Sequence, residues 1–271
     1  MASFEAGHQP RSFFLLLFLC ALPLWLGAFL TVALPTSLVL LGTVFVRSRV
    51  KLSVLMKNNE IAGFKFATVG VIYAVILAFA IVAVWDKFSE AELLVLQESG
   101  ASATLYRLSA SPEPEATATR AALETYLTTV LEQDWPQMMV EKESREAAKA
   151  LDGLYAAGLR LADGRPEAVG GEIMKELAAI TQARRGRLHI ATGVVPPVLW
   201  MMLVTGAFLT VGFTYFFGME NLHAQLMMTA ALSIIVFMGL FVIVSYDHPF
   251  TGGVSVEAHP IKQVLANFHQ N

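Results

Sequence analysis

From Ser12 to Val46 the chain runs for 35 residues without one charged side chain. A helix needs about 20 apolar residues to cross roughly 30 Å of hydrocarbon, so this run alone points to a membrane. Residues 63–85, 194–217 and 224–246 repeat the pattern and are read as spans two, three and four. Charged residues make up 15% of the chain, against about 25% in a soluble domain, and the mean hydropathy is +0.57. An ordinary soluble globular protein is excluded.

Pro23 and Pro35 divide the first run into an interfacial or kinked N-terminal piece and a spanning helix of about Leu24 to Val46. A secretory signal is the alternative, since Arg11 precedes Phe13 to Leu19, but the apolar run continues far past any cleavage site. The only cysteine, Cys20, lies in this run, so no intrachain disulfide can form. Only residues 218–223 separate spans three and four, which makes them an antiparallel hairpin. Four spans place both termini on one side.

The charges are concentrated in residues 86–192, which hold 12 of the 19 Lys and Arg and 17 of the 22 Asp and Glu, a net −5. The remaining residues carry 7 basic and 5 acidic side chains, net +2. A chain of net −3 lacks the basic face that nucleic acid requires. Within the polar segment the periodicity is helical. Leu123, Tyr126, Leu127, Val130, Leu131 and Trp135 form one stripe, introduced by Pro112 and Pro114 and stopped by Pro136. Ala147, Ala148, Leu151, Leu154, Tyr155 and Gly158 form another, with Ser144 as N-cap. Val169, Ile173, Leu177, Ile180 and Leu188 form a third that runs toward span three. Leu93, Leu96, Gly100, Ala103 and Leu108 continue from span two. The fold class is therefore all-α: four transmembrane helices, with a helical extramembrane module between spans two and three. Residues 1–85 carry the N-terminal segment and spans one and two, 86–192 the module, 193–247 spans three and four, and 248–271 a C-terminal tail.

Positive charge does not orient the chain. Arg47, Arg49, Lys51 and Lys57 lie on the face of the first loop, while Arg11, Lys87, Arg184, Arg185, Arg187 and Lys262 lie on the opposite face.

No catalytic or cofactor motif is present: the six histidines form no HExxH pair, and CxxC, GxSxG and Walker sequences are missing. Neither an enzyme nor a cofactor or metal site is expected. Asp247-His248-Pro249 reads as a turn ending span four, with a metal or proton site as the sharper alternative. Arg184, Arg185 and Arg187 read as a basic cluster at the membrane junction that anchors to anionic headgroups. Span two has two contrasting faces. Gly63, Ala67, Gly70 and Ala74 form a small-residue stripe suited to close helix packing, since lipid supplies no hydrophobic drive for association. Lys65, Thr68, Ile72, Ile76 and Phe79 share the opposite face, which points to lipid or lines an apolar constriction. Gly206 and Gly212 are close-approach positions in span three.

Several stretches together resemble the bestrophin-like bacterial membrane proteins: NNEIAGFKFATVGVIYAVILAF (58–79), VWDKFSEAE (84–92), ARRGRL (183–188), PPVLW (196–200), GAFLTVGFTYFFG (206–218), LMMTAAL (226–232) and DHPFTGG (247–253). Residues 1–57 and about 100–180 match only in pattern. The chain is more distantly similar to bestrophins, which are pentameric anion channels with four spans, cytosolic termini and a cytosolic helical part between spans two and three. Trp85-Asp86-Lys87-Phe88 echoes the aromatic sequence that ends their second span, without its arginine and paired tryptophan. The acidic calcium clasp has no counterpart, since only Asp247 and Glu257 follow span four, so calcium gating is not implied.

The resemblance implies a homo-oligomeric channel for a small inorganic ion, with an apolar neck formed by span two, in a bacterial plasma membrane. It also places the termini and residues 86–192 in the cytoplasm. The alternative is a non-conducting membrane scaffold or sensor whose polar module binds a partner.

Overall fold

The computed structural model describes residues 22–57 and 59–268. The N-terminal piece with Cys20, and His8 and His269, lie outside the described residues. Among the described residues every regular element is helical. In chain order these are α1 (Leu24–Arg49), α2 (Leu52–Lys57), α3 (Asn59–Leu108), α4 (Pro114–Thr129), α5 (Trp135–Met138), α6 (Arg145–Asp163), α7 (Glu167–Ile190), α8 (Pro197–Gly212), α9 (Leu222–Tyr246) and α10 (His259–Phe268). Four of them, α1, α3, α9 and α8 with its 3-10 extension Phe213–Phe216, are long and apolar enough to cross a membrane.

Proline shapes two of these helices without ending them. A π turn, Phe29–Ala33, sits just ahead of Pro35 inside α1, and another, Val130–Asp134, sits just ahead of Pro136 between α4 and α5. Proline lacks an N–H and crowds the carbonyl four residues back, and a widened turn relieves both. The expectation that Pro136 stops its helix is corrected accordingly. The third stripe, read as running toward span three, stops short of it. Helix α7 ends at Ile190, Gly193 takes φ +63°, and α8 starts only after Pro196. A Cβ at Gly193 would stand 2.9 Å from the His248 ring, so both conformation and space require glycine there.

The described residues fall into two compact units. The first holds the residues up to Trp85, Val194–Asp247 and Gly252–Val254. Its core contains Tyr73, Ala80 and Val84 of α3, Leu203, Ala207 and Val211 of α8, and Val236, Phe237 and Ile243 of α9. Glycines on α8 and α9 let the helices close: the Tyr73 ring occupies the place of a side chain at Gly206, and Leu77 lies 2.5 Å from where a Cβ of Gly239 would be. At one end of these helices the Asn59 amide donates to the Gly218 carbonyl at 2.8 Å and accepts from the Gly218 N–H at 3.0 Å. Asn221 caps α9 by accepting from His223 and Ala224.

The second unit holds Asp86–Gly193, His248–Thr251 and the residues from Ser255 on. The stripes of α4, α6 and α7 enter its core, with Leu123, Tyr126, Leu127, Leu154, Ile173, Leu177 and Ile180 fully buried. Ser144 caps α6 by accepting from the Ala147 N–H at 3.2 Å. The residues read from sequence as a tail contribute Phe250, Val256, Ile261 and Phe268 to the same core. In α3 the buried side is Ala91, Val95, Glu98, Ser102 and Leu105, whereas the expected stripe fails at Leu93 and Leu96, which are half exposed. A charge-avoiding reading picks the stripe beside the one that contains Glu98.

That carboxylate belongs to a buried ionic network, and with it the basic-collar expectation is corrected. Arg187 is fully buried and Arg184 nearly so, and of the three arginines only Arg185 is exposed. Arg187 donates from Nε to Glu98 at 2.8 Å and from Nη2 at 3.2 Å, and its guanidinium lies 4.9 Å from the Trp135 ring centre. Arg184 grips Asp134 at 2.8 and 3.0 Å, while Asp134 also accepts from the Ser144 N–H at 3.1 Å. Tyr126 donates to Glu98 at 2.6 Å. Two carboxylates and two guanidiniums cancel, which is what burial of charge demands. Burial and the neighbouring Glu98 push the Tyr126 hydroxyl well above its ordinary range. Burial alone would lower Arg187, but the charge and hydrogen bonds of Glu98 outweigh it and hold the guanidinium protonated.

Four outcomes follow from this packing. Arg187→Met should destabilise the protein by about 3–5 kcal/mol, because it leaves Glu98 buried without its counter-ion. The double change Glu98→Leu with Arg187→Met should recover most of that loss in detergent melting curves. Gly206→Val should abolish the monodisperse folded protein in size-exclusion chromatography. Gly70→Ala, whose Cβ meets nothing within 4 Å, should leave the subunit fold intact.

Candidate functional site

The membrane part of α3 presents three faces. Tyr73, Ala80 and Val84, flanked by Phe66, Val69 and Leu77, pack against α8 and α9. The small residues lie to one side and make no close contact among the described residues: a Cβ at Gly70 would meet nothing within 4 Å, one at Gly63 would meet Phe217 at 3.9 Å, and Ala67 and Ala74 are exposed. Close packing between the described helices is made by Gly206 and Gly239, which receive the large side chains Tyr73 and Leu77 of α3.

The bulky candidates lie on the other side. Lys65, Thr68, Ile72 and Phe79 are exposed and Ile76 is half buried. Ile72 and Ile76 turn toward α8, where with Val69, Met201, Met202 and Leu209 they line an apolar groove of about 620 Å³. Thr68 donates to the Phe64 carbonyl at 3.2 Å, so its hydroxyl is satisfied within the helix. A third set, Phe64, Val71, Val75 and Val82, lies within about 20° of the point directly opposite Tyr73 on a helix of 3.6 residues per turn. All four are exposed, Phe64 at 79% and Val71 at 65%. Helical periodicity alone contrasts two faces where the fold makes three, so these four residues do not stand out in the sequence. The missing signal was the register of the packed face, which Tyr73 sets against Gly206.

The turn after α9 is structural in its geometry. One oxygen of Asp247 accepts from the N–H groups of Val194 and Val195 at 3.0 and 2.7 Å, and the other accepts from the Trp200 indole at 3.4 Å. In the second unit His248 Nε2 lies 3.0 Å from Glu141 Oε1, and Thr251 donates to the Met139 carbonyl at 3.1 Å. Glu141 takes a left-handed φ of 58°, held by these contacts around the 138–142 turn. Among the described residues no three His, Cys, Asp or Glu side chains converge as metal ligands would.

The sequence matches the Bestrophin-like domain over residues 33–261. No curated protein sequence matches the chain. Solved structures with the same fold include a bacterial bestrophin homologue from Klebsiella pneumoniae. An aspartate-to-alanine variant of it is 17% identical with a TM-score of 0.67, covering 88% of this chain and 97% of that one. A tryptophan-to-alanine variant is 16% identical at 0.67, covering 89% and 98%. The form solved by zinc phasing is 18% identical at 0.65, covering 87% and 96%. With four spanning helices, this fold and a family match over most of its length, the chain is an integral membrane protein and belongs to the Bestrophin-like family.

Proposed function

We propose that the chain is one subunit of a homo-oligomeric ion channel in a bacterial plasma membrane, with the membrane part of α3 lining the pore. The observation that carries this reading is the apolar stripe Phe64, Val71, Val75 and Val82, which the described helices of the membrane unit leave exposed. Four helices do not enclose a conducting path by themselves, whereas a ring of α3 helices turned so that these stripes meet forms an apolar neck. The bestrophins that the chain resembles are channels of this kind. Of the bulky candidates, Thr68 and Phe79 border the neck, about 40° and 60° from its centre. Ile72 and Ile76 back it from the groove beside α8.

An apolar ring gates by dewetting, so a polar side chain there removes the barrier to water. Lys65, exposed at the start of the span, places positive charge near one mouth and raises local anion concentration. The module, at net −5, opposes that preference. Residues 86–192 and both termini are cytoplasmic in this reading.

Purified protein in planar bilayers provides the test. Val75→Ser should raise conductance or hold the channel open, Ile76→Ser should do so less, and Lys65→Glu should shift the reversal potential toward cations. Currents changed only by Ile72 and Ile76 substitutions would turn the neck back to the bulky face. Silence of the wild type across pH and salt would favour the non-conducting scaffold, as would a single-subunit particle of about 30 kDa, the mass of one chain. Orientation is read from Glu167→Cys, an exposed module position, in a Cys20→Ser background: labelling from outside intact cells would reverse it.

A further inference from the structure

The second unit contains a cavity of about 550 Å³ between α3, α4 and α10, a size within the roughly 300–1,000 Å³ of small-molecule sites. Its wall includes Ala103, Tyr106 and Arg107 of α3, Arg120 of α4, and Val264 and Phe268 of α10. Among the described residues no acidic side chain lines it, although the surrounding segment is acidic overall.

The wall is held in place. The Tyr106 and Phe268 rings stack at 3.8 Å with 5° between their planes, and the Tyr106 hydroxyl donates to the Phe268 carbonyl at 3.1 Å. Arg120 donates one N–H to the Ser111 carbonyl at 3.2 Å, which fixes its guanidinium and leaves its other donors available. The Arg107 carbonyl accepts from the Ala110 N–H at 3.1 Å, while its guanidinium makes no hydrogen bond or ion pair among the described residues. Two arginines line one cavity, and an anion between them would relieve their like charge; their planar donor sets match the oxygens of a carboxylate or phosphate. The apolar side chains opposite suit an organic body, which a bare inorganic ion would leave unused.

We propose that this cavity binds a small organic oxyanion, its carboxylate or phosphate held by Arg107 and Arg120 and its apolar body seated against Ala103, Val264 and the Tyr106–Phe268 stack. The site is independent of whether the chain conducts. A soluble ligand and a lipid headgroup share this oxyanion chemistry, and the inference commits to the soluble one.

Calorimetric titration of the full chain in phosphatidylcholine nanodiscs tests it with phenyl phosphate, inorganic phosphate and benzyl alcohol as probes. Phenyl phosphate should bind most tightly, inorganic phosphate more weakly, and benzyl alcohol not measurably. Arg107→Ala and Arg120→Ala should each weaken phenyl phosphate roughly tenfold, as loss of a charge-assisted hydrogen bond does. Arg107 is exposed, so its replacement leaves the core untouched. Ala103→Phe should fill the cavity and reduce phenyl phosphate binding more than that of inorganic phosphate. Equal affinity in wild type and both arginine variants would overturn the site, and so would a failure of either anion to bind. Loss of phenyl phosphate affinity when phosphatidylglycerol is added to the nanodiscs would overturn the soluble ligand in favour of a headgroup.

Discussion

A guanidinium buried out of reach of bulk solvent dictates much of the polar unit. Arg187 is fully buried, and its charge persists there only because Glu98 approaches at 2.8 Å and Asp134 at 3.6 Å. Those acids need partners in turn, which Tyr126, Arg184 and the Ser144 N–H provide. Helices α3, α4 and α7 and the π turn before Pro136 therefore meet in one register, since sliding any of them would strand a charge in a low dielectric. Burying these groups offers little net stabilisation over apolar side chains, so their effect is to select one packing among several that would be equally greasy.

The membrane unit is organised without charge. Its helices close where glycine on one faces a large side chain on another, Gly206 with Tyr73 and Gly239 with Leu77. Dispersion and shape do there what water drives elsewhere. Because Tyr73 fixes the rotation of α3, it also decides which residues are left facing outward, and the proposed neck rests on that rotation more than on the composition of the helix.

The two units use α3 differently along one continuous helix of 50 residues. Up to Trp85 its exposed face is apolar, with Phe64, Val71, Val75 and Val82, and this suits lipid or a dewetted path. Beyond it the buried face admits Glu98, Ser99 and Ser102, whose polar atoms find partners in the helix backbone or the ionic network. Water can reach that unit's surface and solvate its acidic excess, so a net −5 is tolerable there and would not be within the spans.

The number of spans, their approximate limits and the helical character of the polar segment were legible because each rests on local composition and period. Uncharged runs long enough for a bilayer and stripes such as Leu123, Tyr126, Leu127 and Val130 need no knowledge of partners. The resemblance carried by 58–79, 206–218 and 247–253 pointed to the family in the same way. The residues that share an environment across the chain were not legible. Glu98, Asp134, Arg184 and Arg187 occupy core positions of their helices, but a charged residue in an apolar stripe looks like an interruption until its counter-charge, 50 to 89 positions away, is brought beside it. The outward face of α3, the core role of Ile261 and Phe268, and the convergence of Arg107 with Arg120 have the same origin. Each depends on helix rotation and long-range contact, and those are set by how side chains interlock in three dimensions.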